Sequence, residues 1–519
     1  MSAIAYRPAP VRDGQPNLVV LTPMSIEARA IRAGAPWASV HQFGIGQRKA
    51  LASAGLAGSA QDAVLIAGFA GALDPRLAPG DVVLASELRG PDGDAVPCAD
   101  PAILAGVLRR GGLRVHVGPI VSSPKLVHGA RRRELAQTGA LAVDMESAWI
   151  ARDAQAQPLA TLRVVSDAPS GTQRHEAYRP LRIASGVLAA YRSLRRAAGL
   201  LGEWVEVLGE REITLGSPRA SCAGVVRAVD IVREALAERG APIYVRKQIV
   251  HNVHVVSELE RLGVVFVEEV DEVPEGATII YSAHGVSPAV RESAAERGLE
   301  VIDATCPLVA KVHAETRRFA REGFDIVLIG HEGHEEVEGT IGEAPDRVQV
   351  IASQDEVAAV AVADPEKVAY ITQTTLAVDE TAVVVHALRE RFPGLAGPKS
   401  DDICYATQNR QDAVRALAGD CDIVLVVGSP NSSNSRRLVE VAERAGCRSE
   451  LVERADDIRP ELLRDARSVG LTAGASAPEE LVAGVVSALG GLGRVSVSER
   501  VVATEQVHFK LPPEVRRTA

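Results

Sequence analysis

The stretch Asp303-Ala304-Thr305-Cys306-Pro307-Leu308-Val309-Ala310-Lys311-Val312-His313 decides how the chain reads. Just before it, Leu299-Glu300-Val301-Ile302 is a short apolar strand signal, and Pro307 both stops that strand and suits the first position of a helix. The thiol of Cys306 therefore stands at a strand-to-helix turn, where ligands bind in α/β proteins. One cysteine in such a place is most often a core residue. Two more occur in matching contexts: Cys222 in Arg219-Ala220-Ser221-Cys222-Ala223-Gly224, and Cys404 in Asp402-Ile403-Cys404-Tyr405-Ala406-Thr407. Each is expected at a strand-to-helix turn. Their wide, roughly equal spacing lacks the close pairs of a zinc knuckle. Three thiolates from three segments suit a cluster held between lobes, and a four-iron cluster with three protein ligands keeps one iron open.

Around these cysteines the strands share one habit, each apolar run ending in a polar or glycine-containing cluster. The runs end at His251-Asn252, at Ser282-Ala283-His284-Gly285 and at Gly330-His331-Glu332-Gly333-His334. Three more end at Thr372-Gln373-Thr374-Thr375, at Gly428-Ser429-Pro430-Asn431-Ser432-Ser433-Asn434 and at Ala473-Gly474-Ala475-Ser476. Ligands in open α/β sheets bind beyond the carboxyl ends of strands, so these ends point to one central site. Imidazoles, hydroxyls and backbone N–H groups with little lysine or arginine suit a diphosphate held largely by hydrogen bonds. Glu336, two residues after His334, supplies a proton source.

The chain has 519 residues, 46% of them hydrophobic, and a net charge of -10, enough for two cored domains and no general reason to expect nucleic acid. Six cysteines in this length are not a disulfide scaffold, no signal-like segment opens the chain, and no apolar run reaches the roughly 18 to 20 residues of a membrane span. A reducing cytoplasm is the expected location. Residues 1–16 read as a flexible leader. Strand signals at 17–21, 63–67, 81–85 and 159–165, with helical patterns between them, predict a first α/β domain over 17–208. A helix over 184–208 closes it, with Arg192, Arg195 and Arg196 on one face and Leu194, Leu200, Leu201 and Trp204 on the other. The second domain is expected over 209–519.

The first domain offers a glycine-rich turn, Gly68-Phe69-Ala70-Gly71-Ala72-Leu73-Asp74, and a Gly44-Ile45-Gly46 turn with Arg48 that suits phosphate. It also offers Asp144-Met145-Glu146 at a helix start, Ser166-Asp167 at a strand end, and Met24-Ser25-Ile26-Glu27 after the first strand. Over about residues 17–200 these motifs resemble the purine nucleoside phosphorylase and nucleosidase family. The resemblance implies that Met145 and Glu146 hold the ribose, that Asp167 protonates the purine, and that Glu27 orients an attacking water. It leaves water or phosphate open as nucleophile, implies a purine nucleoside as substrate, and makes this domain the route to any oligomer. The competing reading is a non-catalytic binding or scaffolding module.

Residues 212–513 resemble the 4-hydroxy-3-methylbut-2-enyl diphosphate reductases. The three cysteine segments and the strand-end motifs carry the resemblance, together with Val337-Glu338-Gly339-Thr340. It implies a three-lobed, pseudo-threefold α/β iron-sulfur reductase with one cluster cysteine per lobe. It further implies a 4Fe-4S cluster on Cys222, Cys306 and Cys404, an external electron donor such as a ferredoxin or flavodoxin, and an allylic diphosphate substrate. His251, His284, His334, Thr374, Ser432, Ser433, Asn434 and Ser476 would surround that substrate, with Glu336 feeding protons. Where the family usually has proline after the histidine, this chain has Glu335. The alternative of another class is a zinc hydrolase, against which stands the absence of a His-x-x-x-His pair or a close cysteine pair.

Overall fold

The computed structural model describes residues 18–53, 63–153, 159–168 and 180–515. The expected leader over residues 1–16 lies outside them. The chain forms two compact units: residues 1–213 with 454–467 and 483–496, and residues 214–453 with 468–482 and 497–519.

In the first unit the strands are β1 (Leu18–Thr22), β2 (Ser39–Gln42), β3 (Ala63–Ala72), β4 (Val82–Arg89), β5 (Ala95–Pro97), β6 (Val115–Ser122), β7 (Ala142–Asp144) and β8 (Leu159–Asp167). They form one sheet in the order β2-β1-β3-β7-β6-β4-β5, with β8 pairing both β3 and β4. The burial of β1, BBBBB, and the near-continuous burial of β3 and β8 are what strands covered on both faces should show. The closing helix runs Pro180–Val205, with Leu194, Leu201 and Trp204 buried and Arg192, Arg195 and Arg196 exposed.

One expectation here is corrected. Gly68-Phe69-Ala70-Gly71-Ala72 is not a turn but the second half of β3, paired to β8 with a register shift between Ala70 and Gly71. The glycine serves close approach instead: a Cβ on Gly68 would lie 2.5 Å from Arg163 Nη1 and 2.7 Å from Glu27 Oε1. Only a bare strand leaves room for a buried guanidinium and carboxylate to lie across it.

The remaining strands are β9 (Arg211–Ser217), β10 (Ile243–Arg246), β11 (Val264–Val267), β12 (Thr278–Tyr281), β13 (Glu300–Asp303), β14 (Asp325–Ile329), β15 (Val348–Ile351), β16 (Val368–Thr372), β17 (Ile423–Val427), β18 (Arg448–Val452), β19 (Ser468–Ala473) and β20 (Val495–Val501). They make three sheets, ordered β11-β10-β12-β13, β15-β14-β16 and β18-β17-β19-β9-β20. One motif is repeated three times. In each sheet three parallel strands run second-first-third, and a helix that starts at one of the cysteines precedes them. The second strand goes to one side of the first and the third to the other. The gap between the ends of first and third strands is therefore a topological switch point. The polar clusters after β10, β12, β14, β16, β17 and β19 are these six ends, two per lobe.

Candidate active site

All three cysteines are helix N-caps: Cys222 for Ala223–Arg239, Cys306 for Pro307–Arg321 and Cys404 for Tyr405–Ala418. Pro307 takes the first helical position, as expected. Cys404 departs from its expected context. No strand leads into it: after the helix Val378–Arg391 the chain makes one bridge, Ala396 to Ala369, and Cys404 is placed by its own N–H, which donates to Thr374 O. Proline and glycine at 393–398 favour this irregular path over a strand.

The three sulfurs line one cavity. A Cβ on Gly224 would lie 2.7 Å from Cys306 Sγ and 3.8 Å from Cys222 Sγ, so glycine keeps the space beside them clear. Thr407 donates its N–H to Cys404 Sγ at 3.3 Å, with its hydroxyl 3.1 Å away. Burial pushes the Cys306 thiol up to about 12 and that of Cys404 up to about 11, and neighbouring cysteines add to both shifts. Half-buried soft donors at helix N-termini suit a thiophilic metal centre, whose charge would offset burial and hold the thiolates.

Every other predicted residue of this unit lines the same cavity: His251, His284, His334, Glu336, Thr374, Ser432, Ser433, Asn434 and Ser476. The rings of His251 and His284 stack with centroids 4.1 Å apart, and His334 stands edge-on to both at 5.5 and 5.9 Å. Burial, reinforced by His284, lowers His251 to about 3 and His334 to about 4, so both are neutral at physiological pH. The Glu336 N–H donates to His334 Nδ1 at 3.2 Å, which leaves the ring proton on Nε2 as a donor. Glu336 is buried, and burial raises its pKa despite two bonds from Thr374, N–H to Oε1 at 2.7 Å and Oγ1–H to Oε2 at 2.9 Å. A carboxyl whose pKa burial raises, bonded to a hydroxyl on the cavity wall, has the chemistry of a proton donor with a relay.

On the far wall, Ser432 caps the helix Ser433–Arg444 by accepting from the Ser435 N–H, and the Ser476 hydroxyl lies 3.0 Å from His251 O and 3.3 Å from Ser432 Oγ. Asn434 lies here too, but both its ends are engaged, Oδ1 by the Ala475 N–H and Nδ2 by Thr407 Oγ1. It braces two loops. Sequence reasoning passed over Gly224, Thr375 and Thr407, which also line the cavity. Thr407 was findable, standing three residues after a capping cysteine, where a cap's acceptor meets an N–H.

In the first unit the expected residues come together differently. Glu27 is fully buried, and its oxygens accept from the Phe69 N–H (2.6 Å), the Met24 N–H (2.8 Å) and the Thr22 hydroxyl (3.0 Å). Glu146 accepts from the Gly46 N–H at 2.9 Å, which joins the Gly44-Ile45-Gly46 turn to the Met145-Glu146 segment. Arg163, buried, lies 2.8 Å from Asp144 and 3.5 Å from Glu146. Burial raises Glu27 and Glu146, with Arg163 opposing it in both. Asp167 stands at the end of β8, paired at 2.5 Å with Arg132. An Asp167 that protonates a purine must first give up that guanidinium.

Comparison with known proteins finds a match for each part. Residues 213–490 match the LytB protein family and residues 31–201 the Phosphorylase superfamily. The 4-hydroxy-3-methylbut-2-enyl diphosphate reductase of Rhodococcus jostii (strain RHA1) is 61% identical over 309 residues, 59% of this chain and 92% of that protein. Reductase 1 of Mycobacterium tuberculosis is 55% identical over 312 residues, 59% of this chain and 95% of that one. The solved structure of the E-1-hydroxy-2-methyl-but-2-enyl-4-diphosphate reductase from Plasmodium falciparum is 37% identical, with a TM-score of 0.57, covering 59% of this chain and 97% of that one.

Gly224→Ala tests the sulfur cradle. Its Cβ overlaps Cys306 Sγ, a local overpacking of about 1–3 kcal/mol, so iron and sulfide per chain should fall while the far-UV circular dichroism of the protein is retained. Undiminished iron would show that the sulfurs do not need this clearance.

Proposed function

Because the chain belongs to the LytB protein family, we propose that residues 209–519 reduce 4-hydroxy-3-methylbut-2-enyl diphosphate to isopentenyl and dimethylallyl diphosphate, and that residues 17–208 cleave a purine nucleoside. The observation that carries the first reading is the convergence on one cavity of three cysteine-capped helices, three imidazoles and a buried carboxyl. The reaction takes two electrons and two protons, breaks the allylic C–O bond and releases water.

Cys222, Cys306 and Cys404 would hold a four-iron cluster, which when bound supplies the electrons and an open coordination position for the substrate oxygen. The chain's own groups do the rest. The diphosphate is received by the Ser432–Asn434 helix start, where N–H groups and the dipole favour an anion, and by His334 through Nε2–H. Ser476 and Ser433 line its path. Burial raises the pKa of Glu336 by disfavouring its carboxylate, and Thr374, bonded to it on the same cavity wall, would relay its proton to the departing hydroxyl. Electrons would come from an external ferredoxin or flavodoxin, in a chain where none of the described helices is long and apolar enough to cross a membrane.

For the first domain, the Phosphorylase superfamily match supports a nucleoside pocket built from Glu27, Met145, Glu146 and Asp167. Glu146 would take the ribose hydroxyls in place of the Gly46 N–H, and Asp167 would protonate the base once Arg132 is displaced. Water or phosphate then attacks as positive charge develops on the sugar.

Three measurements test these readings. Anaerobically purified Cys222→Ser, Cys306→Ser and Cys404→Ser variants should each lose iron, sulfide and visible absorption, whereas Cys98, Cys421 and Cys447 variants keep them; zinc in place of iron would favour a hydrolase. Glu336→Gln should retain the cluster and substrate affinity and slow turnover by roughly 10²- to 10⁴-fold, the worth of a positioned proton donor. Adenine or hypoxanthine release from methylthioadenosine and inosine, with and without phosphate, should be seen in the parent and lost in Asp167→Asn. No release from either nucleoside would leave the first domain a binding module.

A further inference from the structure

The three cysteines of the cavity share more than an N-cap position. Arg227 and Lys311 stand five residues after Cys222 and Cys306, and Arg410 stands six after Cys404. Each lies in the second turn of the helix that its cysteine caps. Side chains on a helix lean back towards its N-terminus, so a long cationic one placed there reaches past the helix start. What each reaches is the backbone that leads into another cysteine.

Arg227 Nη1 donates to Ala304 O at 3.3 Å and Thr305 O at 3.1 Å, the two residues before Cys306. Lys311 Nζ donates to Ser400 O at 2.6 Å and Asp401 O at 2.7 Å and lies 3.2 Å from Asp402 Oδ1, just ahead of Cys404. Arg410 closes the circle. Its Nε and Nη2 both donate to Ala220 O, at 3.1 and 2.7 Å, two residues before Cys222, and Nη2 also meets Arg219 O at 3.4 Å. Ala220 is held in the left-handed region, at φ 59°, a conformation that an alanine keeps only where its surroundings over-determine it. Arg410 itself is buried, with Glu505 as its counter-charge at 3.0 Å. By contrast Arg233 and Arg318, on two of the same helices, pair with the carboxylates of Glu258 and Glu315.

We propose that Arg227, Lys311 and Arg410 are positioning residues that lock the three cysteine turns into a ring, so that the thiols are set in place by the chain and a cluster, once held, is kept from losing iron. The proposal rests on the reading of these thiols as cluster ligands. Main-chain carbonyls outside a strand ladder need donors, and one cation satisfies two or three of them together. Each link therefore fixes the approach to one cysteine against the helix of another. In a closed ring every pair of turns is tied directly by one cation and indirectly by the other two. Losing one tie leaves the indirect path, and losing two leaves one turn without a tie of this kind.

The test uses the full-length chain, purified anaerobically, with Arg227→Met and Lys311→Met made singly and together. Methionine keeps much of the packing of the stem and removes the donors. Arg410→Met would strand the Glu505 carboxylate and endanger the fold itself, so the other two links carry the test. The rate at which an excess of ferrous chelator draws iron is measured at a temperature where the far-UV circular dichroism of every variant matches the parent's. Each single variant should release iron roughly tenfold faster, the worth of hydrogen bonds from a charged donor, and the double variant faster than the product of the two. Arg227→Lys and Lys311→Arg should return most of the parent's rate, and Arg233→Met and Arg318→Met should not depart from it. Single variants at the parent's rate, or a double variant that equals the product, overturn the ring. A second readout needs no iron: arsenite, a soft ion that takes three thiolates, is titrated into the same chains stripped of metal. Its affinity should fall in the same order, and affinities that do not differ overturn the ring equally. A parent that binds arsenite in this link-dependent way but assembles no iron-sulfur cluster would instead sink the reductase reading alone.

Discussion

Three thiols can share one metal centre only if three distant pieces of backbone end at the same place, and the helix N-cap is the device that does it here. At an N-cap the chain turns from extended to helical, so the side chain projects beyond the helix and towards its positive end. Cys222, Cys306 and Cys404 all occupy that position, each heading a helix that precedes a three-strand parallel unit. Threefold repetition of one supersecondary unit then makes convergence a matter of symmetry. The substrate groups follow from the same arrangement, because the polar strand ends of each unit lie at its switch point.

Within that frame the two walls of the cavity differ in how they treat protons. Around Glu336 and His334 burial dominates: it raises the pKa of the carboxyl and keeps the imidazole neutral. At Glu335 and His284 pairing dominates and holds the carboxyl ionised. Residues 335 and 336 are adjacent in sequence, yet their carboxyls are shifted in opposite directions because successive side chains at a helix start point to different neighbours. One faces a hydroxyl and the other an imidazole. Two neighbouring acids are thus set apart by their surroundings alone.

The threefold repetition explains what was legible in the chain. A strand end followed by histidine, hydroxyl or cysteine is a local pattern, so many of the residues that line the cavity of the second unit stand out in the sequence. Partners far apart in sequence left no such pattern. The bond from His284 to Glu335 and the irregular path into Cys404 depend on tertiary contacts, and Thr374, whose carbonyl holds the Cys404 N–H, belongs to another segment. The glycines of β3 misled for a related reason: glycine marks either a turn or a close approach, and the local sequence alone does not distinguish them. What distinguishes them is Arg163 on the neighbouring strand, in register with Gly68.

That arginine also shapes the chemistry available to the first unit. Arg163, Asp144, Glu146 and Glu27 form a buried group of one guanidinium and three carboxyls, and full ionisation would leave uncompensated negative charge in the core. Burial accordingly raises Glu27 and Glu146, with Arg163 only partly opposing it. Glu27 is held by two backbone N–H groups and a hydroxyl, so its position is set by the fold whatever its proton does. Glu146 is different, because its Gly46 partner belongs to a turn with positive φ at both glycines and is the contact a ribose hydroxyl would replace. Replacing an N–H donor by an O–H donor keeps the carboxyl satisfied and frees the Gly46 N–H to meet an anion.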